Sequence, residues 1–242
     1  MLNHLRAMTQ EHIEEVKRIV KVGKVLTEQA DLYSYSFDAS FGMHVPDVVI
    51  QTKQVDELVA LVRLANKEKI PVYPRGLATC LSGGPLPVKG GMVFDLSVMD
   101  DVLEIREDDL MAVVSPGVIT AKIHKAAEQK MLMYPPDPSS SNVSTIGGNL
   151  AENSGGPRGL KYGVTKDYVL GLEVITPEGN IIRTGGYTVK NVTGYDLTKL
   201  IVGSEGTLGI ITKAFLSLIP KPPTTETIMG VFDNLEDSGC AI

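Results

Sequence analysis

Glycine, serine, threonine and asparagine recur in a few short segments of this chain, and those segments hold the chemistry its residues offer. The first is Tyr73-Pro74-Arg75-Gly76-Leu77-Ala78-Thr79-Cys80-Leu81-Ser82-Gly83-Gly84. A glycine-rich loop leaving a strand can gather consecutive N–H groups into a concavity that holds an anion. Thr79 and Ser82 add hydroxyls. The second is Pro135-Pro136-Asp137-Pro138-Ser139-Ser140, followed by Thr145-Ile146-Gly147-Gly148-Asn149-Leu150-Ala151-Glu152-Asn153-Ser154-Gly155-Gly156. Paired glycines let a flat ligand approach the backbone closely. The third joins Tyr162-Gly163 and Asp167 to Gly194-Tyr195-Asp196-Leu197, and the fourth is Gly203-Ser204-Glu205-Gly206-Thr207-Leu208-Gly209-Ile210-Ile211-Thr212. Alone, each also reads as an ordinary surface turn. Their succession in this order is the signal.

Two familiar phosphate loops are excluded. The first segment lacks the Gly-Lys-Ser/Thr ending of a P-loop. It also lacks Gly-x-Gly-x-x-Gly running into a helix, because Pro85-Leu86-Pro87 follows it and cannot be a helix interior.

Other reactive side chains are less suggestive. His4, His12, His44 and His124 are scattered, with no pair at metal-ligand spacing on one helix face. They read as surface or packing residues. Ser154 lacks the strand–turn–helix setting of a nucleophilic serine. The acids of Glu104-Ile105-Arg106-Glu107-Asp108-Asp109 read as a solvated strand end and turn. Cys80, beside the anion loop, is either a thiol of lowered pKa or a small buried filler, and the filler is the preferred reading.

The elements around these loops follow from periodicity. Ile13, Val16, Ile19 and Val20 predict a helix capped by Thr9. Val48–Ile50 predicts a buried strand, Val55, Leu58, Val59 and Val62 a helix capped by Thr52, and residues 70–73 a second strand. A right-handed crossover fits that connection. Strands are expected at 92–96, 102–105 and 112–114, and a helix at 119–129. Residues 134–163 predict a structured functional loop containing a short helix. A hairpin is expected from 169–175 and 181–183, a helix at 195–202, and a strand at 210–219. Beyond Lys221-Pro222-Pro223, a strand at 227–232 and a helix capped by Asn234 are expected.

Composition narrows the class. The chain has 242 residues, 43% of them hydrophobic, and a net charge of -6. Its mean hydropathy is close to zero. No basic stripe marks a nucleic-acid binder, and no apolar run reaches the ~20 residues of a membrane span. No secretory leader is read at the N-terminus. The two cysteines, Cys80 and Cys240, suggest a reducing compartment.

The four segments together resemble the FAD-binding domain of the vanillyl-alcohol oxidase / p-cresol methylhydroxylase (PCMH-type) flavoproteins. The branch most like it holds the glycolate oxidase flavin subunit and the D-lactate and D-2-hydroxyglutarate dehydrogenases. The likeness runs from about Asp47 to Pro220. It implies an α+β fold of two α+β subdomains with FAD between them, at about 47–115 and 116–220. A helical segment, 1–46, would precede them. Residues 221–242 would begin a substrate or cap domain, so the chain reads as C-terminally truncated.

The resemblance also implies roles. Pro74, Arg75, Gly76, Leu77, Ala78 and Thr79, with Ser82, Gly83 and Gly84, would wrap the FAD pyrophosphate. Pro138, Ser139, Ile146, Gly147, Gly148 and Asn149 would line the cofactor. Asn153, Ser154 and Gly155 would sit near the isoalloxazine and ribityl chain. Tyr162 and Gly163 would close the site. Glu205, Gly209, Ile210 and Ile211 would hold the adenosine end or nearby backbone. The family loop reads Pro-Arg-Gly-x-Gly-Thr, and here Ala78 replaces the second glycine. If that position needs a positive φ, the added Cβ costs on the order of 1 kcal/mol.

Some relatives attach flavin through a histidine in the first loop, but none lies between His44 and His124. Dissociable, non-covalent FAD is therefore expected. The expected reaction is hydride transfer from a small 2-hydroxy acid, of glycolate or D-lactate type, to FAD. The catalytic base would lie in the cap domain, so no catalytic residue and no metal ligand are named, and the chain alone is expected to turn over poorly. Arg158 and Lys190 are candidates for the substrate carboxylate. Further oxidase subunits, including an iron–sulfur protein, are the expected partners. A cytoplasmic location is expected, peripheral to the membrane only through those subunits. A non-catalytic flavin-carrying subunit, or a nucleotide-binding module without redox function, are the alternatives.

Overall fold

A computed structural model describes residues 7–241; His4 lies outside them. Helix α1, Gln10–Ile19, starts where expected: Thr9 Oγ1 accepts the His12 N–H, and His12 Nδ1 accepts the Thr9 N–H in return. This reciprocal cap satisfies two otherwise orphaned donors. It turns Val16 into the core at 0% exposure.

Strand β1 (Lys24–Leu26) and helix α2 (Gln29–Ser34) come next; the strand was not expected, and the helix falls within the helical segment expected at 1–46. Then come β2 (Val48–Gln51), α3 (Val55–Glu68), β3 (Val72–Arg75) and β4 (Met92–Asp95). They form a four-stranded sheet in the order β1-β2-β4-β3. The expected crossover joins β2 and β3, but β4 lies between them, parallel to both. Met92, Val93 and Phe94 are wholly buried there, the pattern of a central strand covered on both faces. Because β1 pairs antiparallel with β2, the expected boundary at residue 47 does not separate an independent helical segment.

The cap of α3 differs from expectation. Gln54 is the N-cap and makes no side-chain cap bond. Thr52 acts earlier: its Oγ1 accepts the Gln54 N–H at 3.0 Å and donates to Glu57 at 2.5 Å. Glu57 in turn accepts the N–H groups of Lys21 at 2.7 Å and Val22 at 3.0 Å. One buried carboxylate thus ties the turn before β1 to the start of α3.

The second sheet has five strands in the order β5-β6-β10-β8-β9, antiparallel throughout. Its first strands are β5 (Val102–Arg106) and β6 (Met111–Val114); α4 (Thr120–Glu128) and β7 (Leu132–Met133), which lies outside this sheet, follow in the chain. The expected loop holds α5 (Ile146–Glu152) and α6 (Gly159–Tyr162). The expected hairpin is β8 (Val169–Ile175) and β9 (Ile181–Gly185), followed by α7 (Leu197–Ile201) and β10 (Ile210–Ser217). A two-residue strand, β11 (Ile219–Pro220), pairs with β7. The division between sheets therefore falls between Asp95 and Val102, not near residue 115, because β5 and β6 pair with each other and then with β10.

Helix α8 (Leu235–Cys240) is capped by Asn234 as expected. The strand expected at 227–232 does not form. Ile228 is 92% exposed and Val231 87%, and without a partner ladder a lone strand has nothing to pair with.

The sheets join through α3. Ile175 and Ile210, from the second sheet, pack into the core of the first. Asn66 on α3 donates to the Pro177 carbonyl in the β8–β9 turn at 2.9 Å.

The Glu57 junction gives a stability prediction. Burial alone would raise its carboxyl, but donors from Thr52, Val22, Lys21 and Gly23 outweigh that and hold it below the usual 4.5. A carboxylate with a depressed folded-state pKa contributes fully above its unfolded value and is lost as pH falls through the folded value. Glu57→Gln should lower stability by about 1–3 kcal/mol at neutral pH. Its unfolding midpoint should also fall less than the parent's as pH drops below 4.5. Urea titrations at neutral and acid pH check both; parallel losses in the two proteins would remove Glu57 from the account.

Candidate cofactor cleft

The end of β3 turns directly into the first glycine segment. Among the described residues, the backbone N–H groups of 77–82 donate to no protein backbone or side-chain acceptor. They are available to a ligand or to water. Across from them stands α5, and the seam between is tight: a Cβ on Gly76 would lie 2.2 Å from Thr145 Oγ1. Ser82 bridges the seam, its hydroxyl donating to Glu152 Oε1 at 3.0 Å.

The start of α5 is already satisfied. Ile146 N–H donates to Val118 O at 2.8 Å, Gly147 N–H to Pro116 O at 2.7 Å, and Gly148 N–H to Thr145 Oγ1 at 3.3 Å. A Cβ on Gly147 would sit 2.9 Å from the Pro116 carbonyl, so only glycine permits this approach. Donors for an anion must therefore come from the first loop and not from this helix terminus. The turn at 203–209 completes the wall, held to α5 by Gly203 N–H to Leu150 O at 2.8 Å and Glu205 N–H to Ala151 O at 3.0 Å.

Together these segments enclose a cleft of about 530 Å³. Of the residues expected at the site, Pro74, Arg75, Gly76, Leu77, Ala78, Thr79, Ser82 and Gly84 line it from the first loop. Gly147, Gly148, Asn149 and Ser154 line it from α5 and its exit, and Glu205, Gly209 and Ile211 from the last turn and β10.

The others fall elsewhere. Ile146 is wholly buried in the second core. Ile210 lines a second hollow of about 320 Å³ behind Pro74, Gly206 and Gly209. Asn153 sits just past α5, its Oδ1 accepting the Lys166 N–H at 2.8 Å. Gly83, Pro138, Ser139, Gly155, Tyr162 and Gly163 also lie off the wall.

The wall holds residues that sequence reasoning did not assign. Ser140, Thr145, Ala151, Glu152, Ser204 and Gly206 stood within the quoted segments, and Cys80, Leu81 and Pro85 within or beside the first loop. Leu96 and Pro116 carried no local signal and arrive by tertiary packing alone.

The electrostatics are unusual for an anion site. The charged lining residues are Arg75, Glu152 and Glu205. The Arg75 guanidinium is spent on carbonyls, donating to Phe37 O at 2.8 Å and Tyr35 O at 3.4 Å. Both carboxylates converge near Gly84, where a Cβ would lie 3.7 Å from Glu152 Oε1 and 3.8 Å from Glu205 Oε2. Burial first, then the Asp38 and Glu152 carboxylates, push the Cys80 thiol up. That agrees with the filler reading and not with a reactive thiolate. Of the two candidates for a substrate carboxylate, Arg158 is paired with Asp137 at 3.4 Å. Lys190 lies in the exposed 187–195 loop.

This donor set suits a diphosphate held by neutral N–H groups, with an apolar wall for flat rings. Ala78 has φ 52, the left-handed conformation in which a Cβ is strained. Ala78→Gly should therefore raise stability by about 0.5–1 kcal/mol, after allowing for the greater freedom of glycine in the unfolded chain. Chemical denaturation reads it directly, and a lowered midpoint would contradict the strain at this position.

Comparison with known proteins gives the family. The family described as "FAD binding domain" matches residues 46–185. The chain is 52% identical over 203 residues to glycolate oxidase subunit GlcD of Bacillus subtilis (strain 168), covering 84% of this chain and 43% of that protein. It is 38% identical over 234 residues to D-lactate dehydrogenase of Anaerostipes hadrus, covering 95% of this chain and 48% of the relative. It superposes on alkyldihydroxyacetonephosphate synthase with a TM-score of 0.78 at 25% identity, over 91% of this chain and 45% of that one. The chain thus spans less than half the length of these curated relatives. With its α+β architecture and its cleft at the seam of two sheets, the chain belongs to the FAD binding domain family, of PCMH type.

Proposed function

We propose that the chain holds one FAD, without a covalent link, in the cleft between its sheets. The carrying observation is that residues 77–82, α5 and the 203–209 turn share one cleft while, among the described residues, the N–H groups of 77–82 lack protein acceptors. In this reading the first loop takes the pyrophosphate. Gly147, Gly148 and Ser154 border the flavin and ribityl portion, and Glu205, Gly209 and Ile211 the remaining length. The residues off the wall act by shaping these loops. With no histidine between His44 and His124, the first loop offers no imidazole for covalent attachment.

We further infer that the working protein oxidises a small 2-hydroxy acid of glycolate or D-lactate type to the 2-oxo acid. When bound, FAD would supply the two-electron chemistry as the hydride acceptor. The chain's own residues bind the cofactor through backbone donors, orient it across the seam and keep water from the apolar wall. The relative named as a subunit supports further subunits; that one of them is an iron–sulfur protein is part of the proposal. No helix among the described residues is long and apolar enough to cross a membrane. A cytoplasmic location, with any membrane contact made through partner subunits, is part of this proposal.

Titration of purified protein with FAD tests the binding reading. Saturable binding at one equivalent is expected, with flavin absorbance that acid releases into the supernatant. Flavin retained in the acid pellet would exclude dissociable binding, and no saturation would exclude the cofactor site. Since neutral N–H groups make the contacts, a tenfold rise in ionic strength should weaken binding by less than about threefold. Bleaching of the bound flavin by glycolate or D-lactate under anaerobic conditions reads the substrate class.

A further inference from the structure

The backbone of the first loop has little of its own to hold it. Among the described residues, the N–H groups of 77–82 donate to no protein acceptor. Besides the Ser82–Glu152 bond across the seam, restraints come from a segment much earlier in the chain, between α2 and β2.

Two polar ties connect them. At the start of the loop, Arg75 is 7% exposed and its guanidinium donates to the carbonyls of Phe37 at 2.8 Å and Tyr35 at 3.4 Å. The guanidinium carbon also lies 5.4 Å from the centre of the Tyr35 ring. Tyr35 is itself fixed, its hydroxyl donating to Asp95 Oδ2 at the end of β4 at 2.8 Å. Further along the loop, Cys80 Sγ donates to Asp38 Oδ2 at 3.5 Å. The opposite oxygen of Asp38 accepts the Ser40 N–H at 2.8 Å and the Ser40 hydroxyl at 2.5 Å. Burial alone would raise the Asp38 carboxyl; donors from Ser40, Cys80 and the Gly83 N–H outweigh it and hold the group ionised.

An apolar contact closes the same junction. Leu86 is 5% exposed and lies 3.7 Å from where a Cβ on Gly42 would stand and 3.6 Å from one on Gly83. Segment 35–42 therefore lies across the loop as a strap, pinned at both ends of the stretch with unpaired N–H groups.

We propose that Asp38 and Arg75 are positioning residues that clamp this strap onto the first loop and thereby set how tightly the loop's N–H groups hold a diphosphate. The inference rests on the FAD reading for its ligand and on the observed contacts for its mechanism. Neither side chain needs to touch the cofactor. A loop ordered before binding loses less freedom when the ligand arrives, so preorganisation shows as affinity. The role also explains why the arginine of an anion loop points its charge at carbonyls: it fixes the backbone and leaves phosphate recognition to N–H groups.

Asp38→Asn and Arg75→Lys test this in the full chain. The first keeps shape and loses charge; the second keeps charge and loses the two-pronged fork. Backbone 15N order parameters and amide hydrogen exchange are followed in ligand-free protein, and dissociation constants are measured for FAD and for ADP. The order parameters of residues 77–82 should fall below about 0.6 from rigid values of about 0.85, while exchange in the two sheets stays as slow as in the parent. FAD and ADP should both weaken by about tenfold and by the same factor, since the clamp acts on the part of the ligand they share. General destabilisation would instead raise exchange in the sheets. Unchanged order parameters over 77–82, or unchanged affinity for both ligands in a variant with a loosened loop, overturns the clamp. Should the parent bind neither FAD nor ADP, the cofactor reading falls and the order parameters alone decide the clamp. Arg75→Lys carries the same readouts if Asp38→Asn does not fold.

Discussion

The backbone N–H groups of residues 77–82 constrain everything else in this molecule, because they have no acceptor among the described residues. In a closed interior each would be unfavourable by about 1–3 kcal/mol. They are tolerated only where solvent or a ligand can reach them, so the loop must border an open cleft. The fold supplies one by placing two sheets side by side and leaving the end of β3 at their seam.

That seam is held by contacts that would be weak singly. The Asn66–Pro177 bond ties α3 to a hairpin turn of the other sheet. Ile175 and Ile210 cross into the first core, and Ser82 reaches Glu152 across the cleft. Gly76 leaves room for the Thr145 side chain, and Gly147 lets its backbone approach that of Pro116, where a Cβ would clash. The cleft is therefore a product of how the halves are joined, and its width depends on glycine at the closest points.

The electrostatic design follows from the same constraint. A protein of net charge -6, with two carboxylates and one occupied arginine on the cleft wall, does not attract a diphosphate by long-range field. Recognition has to be short-range and geometric. That places the burden on loop shape, which the residues at Tyr35, Phe37 and Asp38 restrain from outside.

Much of this was legible in the amino-acid order. The caps at Thr9 and Asn234, the β8–β9 hairpin and the short helix in 134–163 follow from local rules that packing did not override. The positive φ of Ala78 is what the resemblance left conditional, at a place where the family loop carries glycine. The segments that build the cleft wall were also visible, because close backbone approach demands glycine at fixed places. Tertiary structure decided the rest. Only strand pairing could put β4 between β2 and β3, or move β5 and β6 into the second sheet. Only packing could bring Leu96 and Pro116 to the wall and send Ile146 into the core. The direction of Arg75 belongs here too. A side chain's partners depend on which segment lies beside it, and the strap at residues 35–42 is distant in sequence and carries no motif.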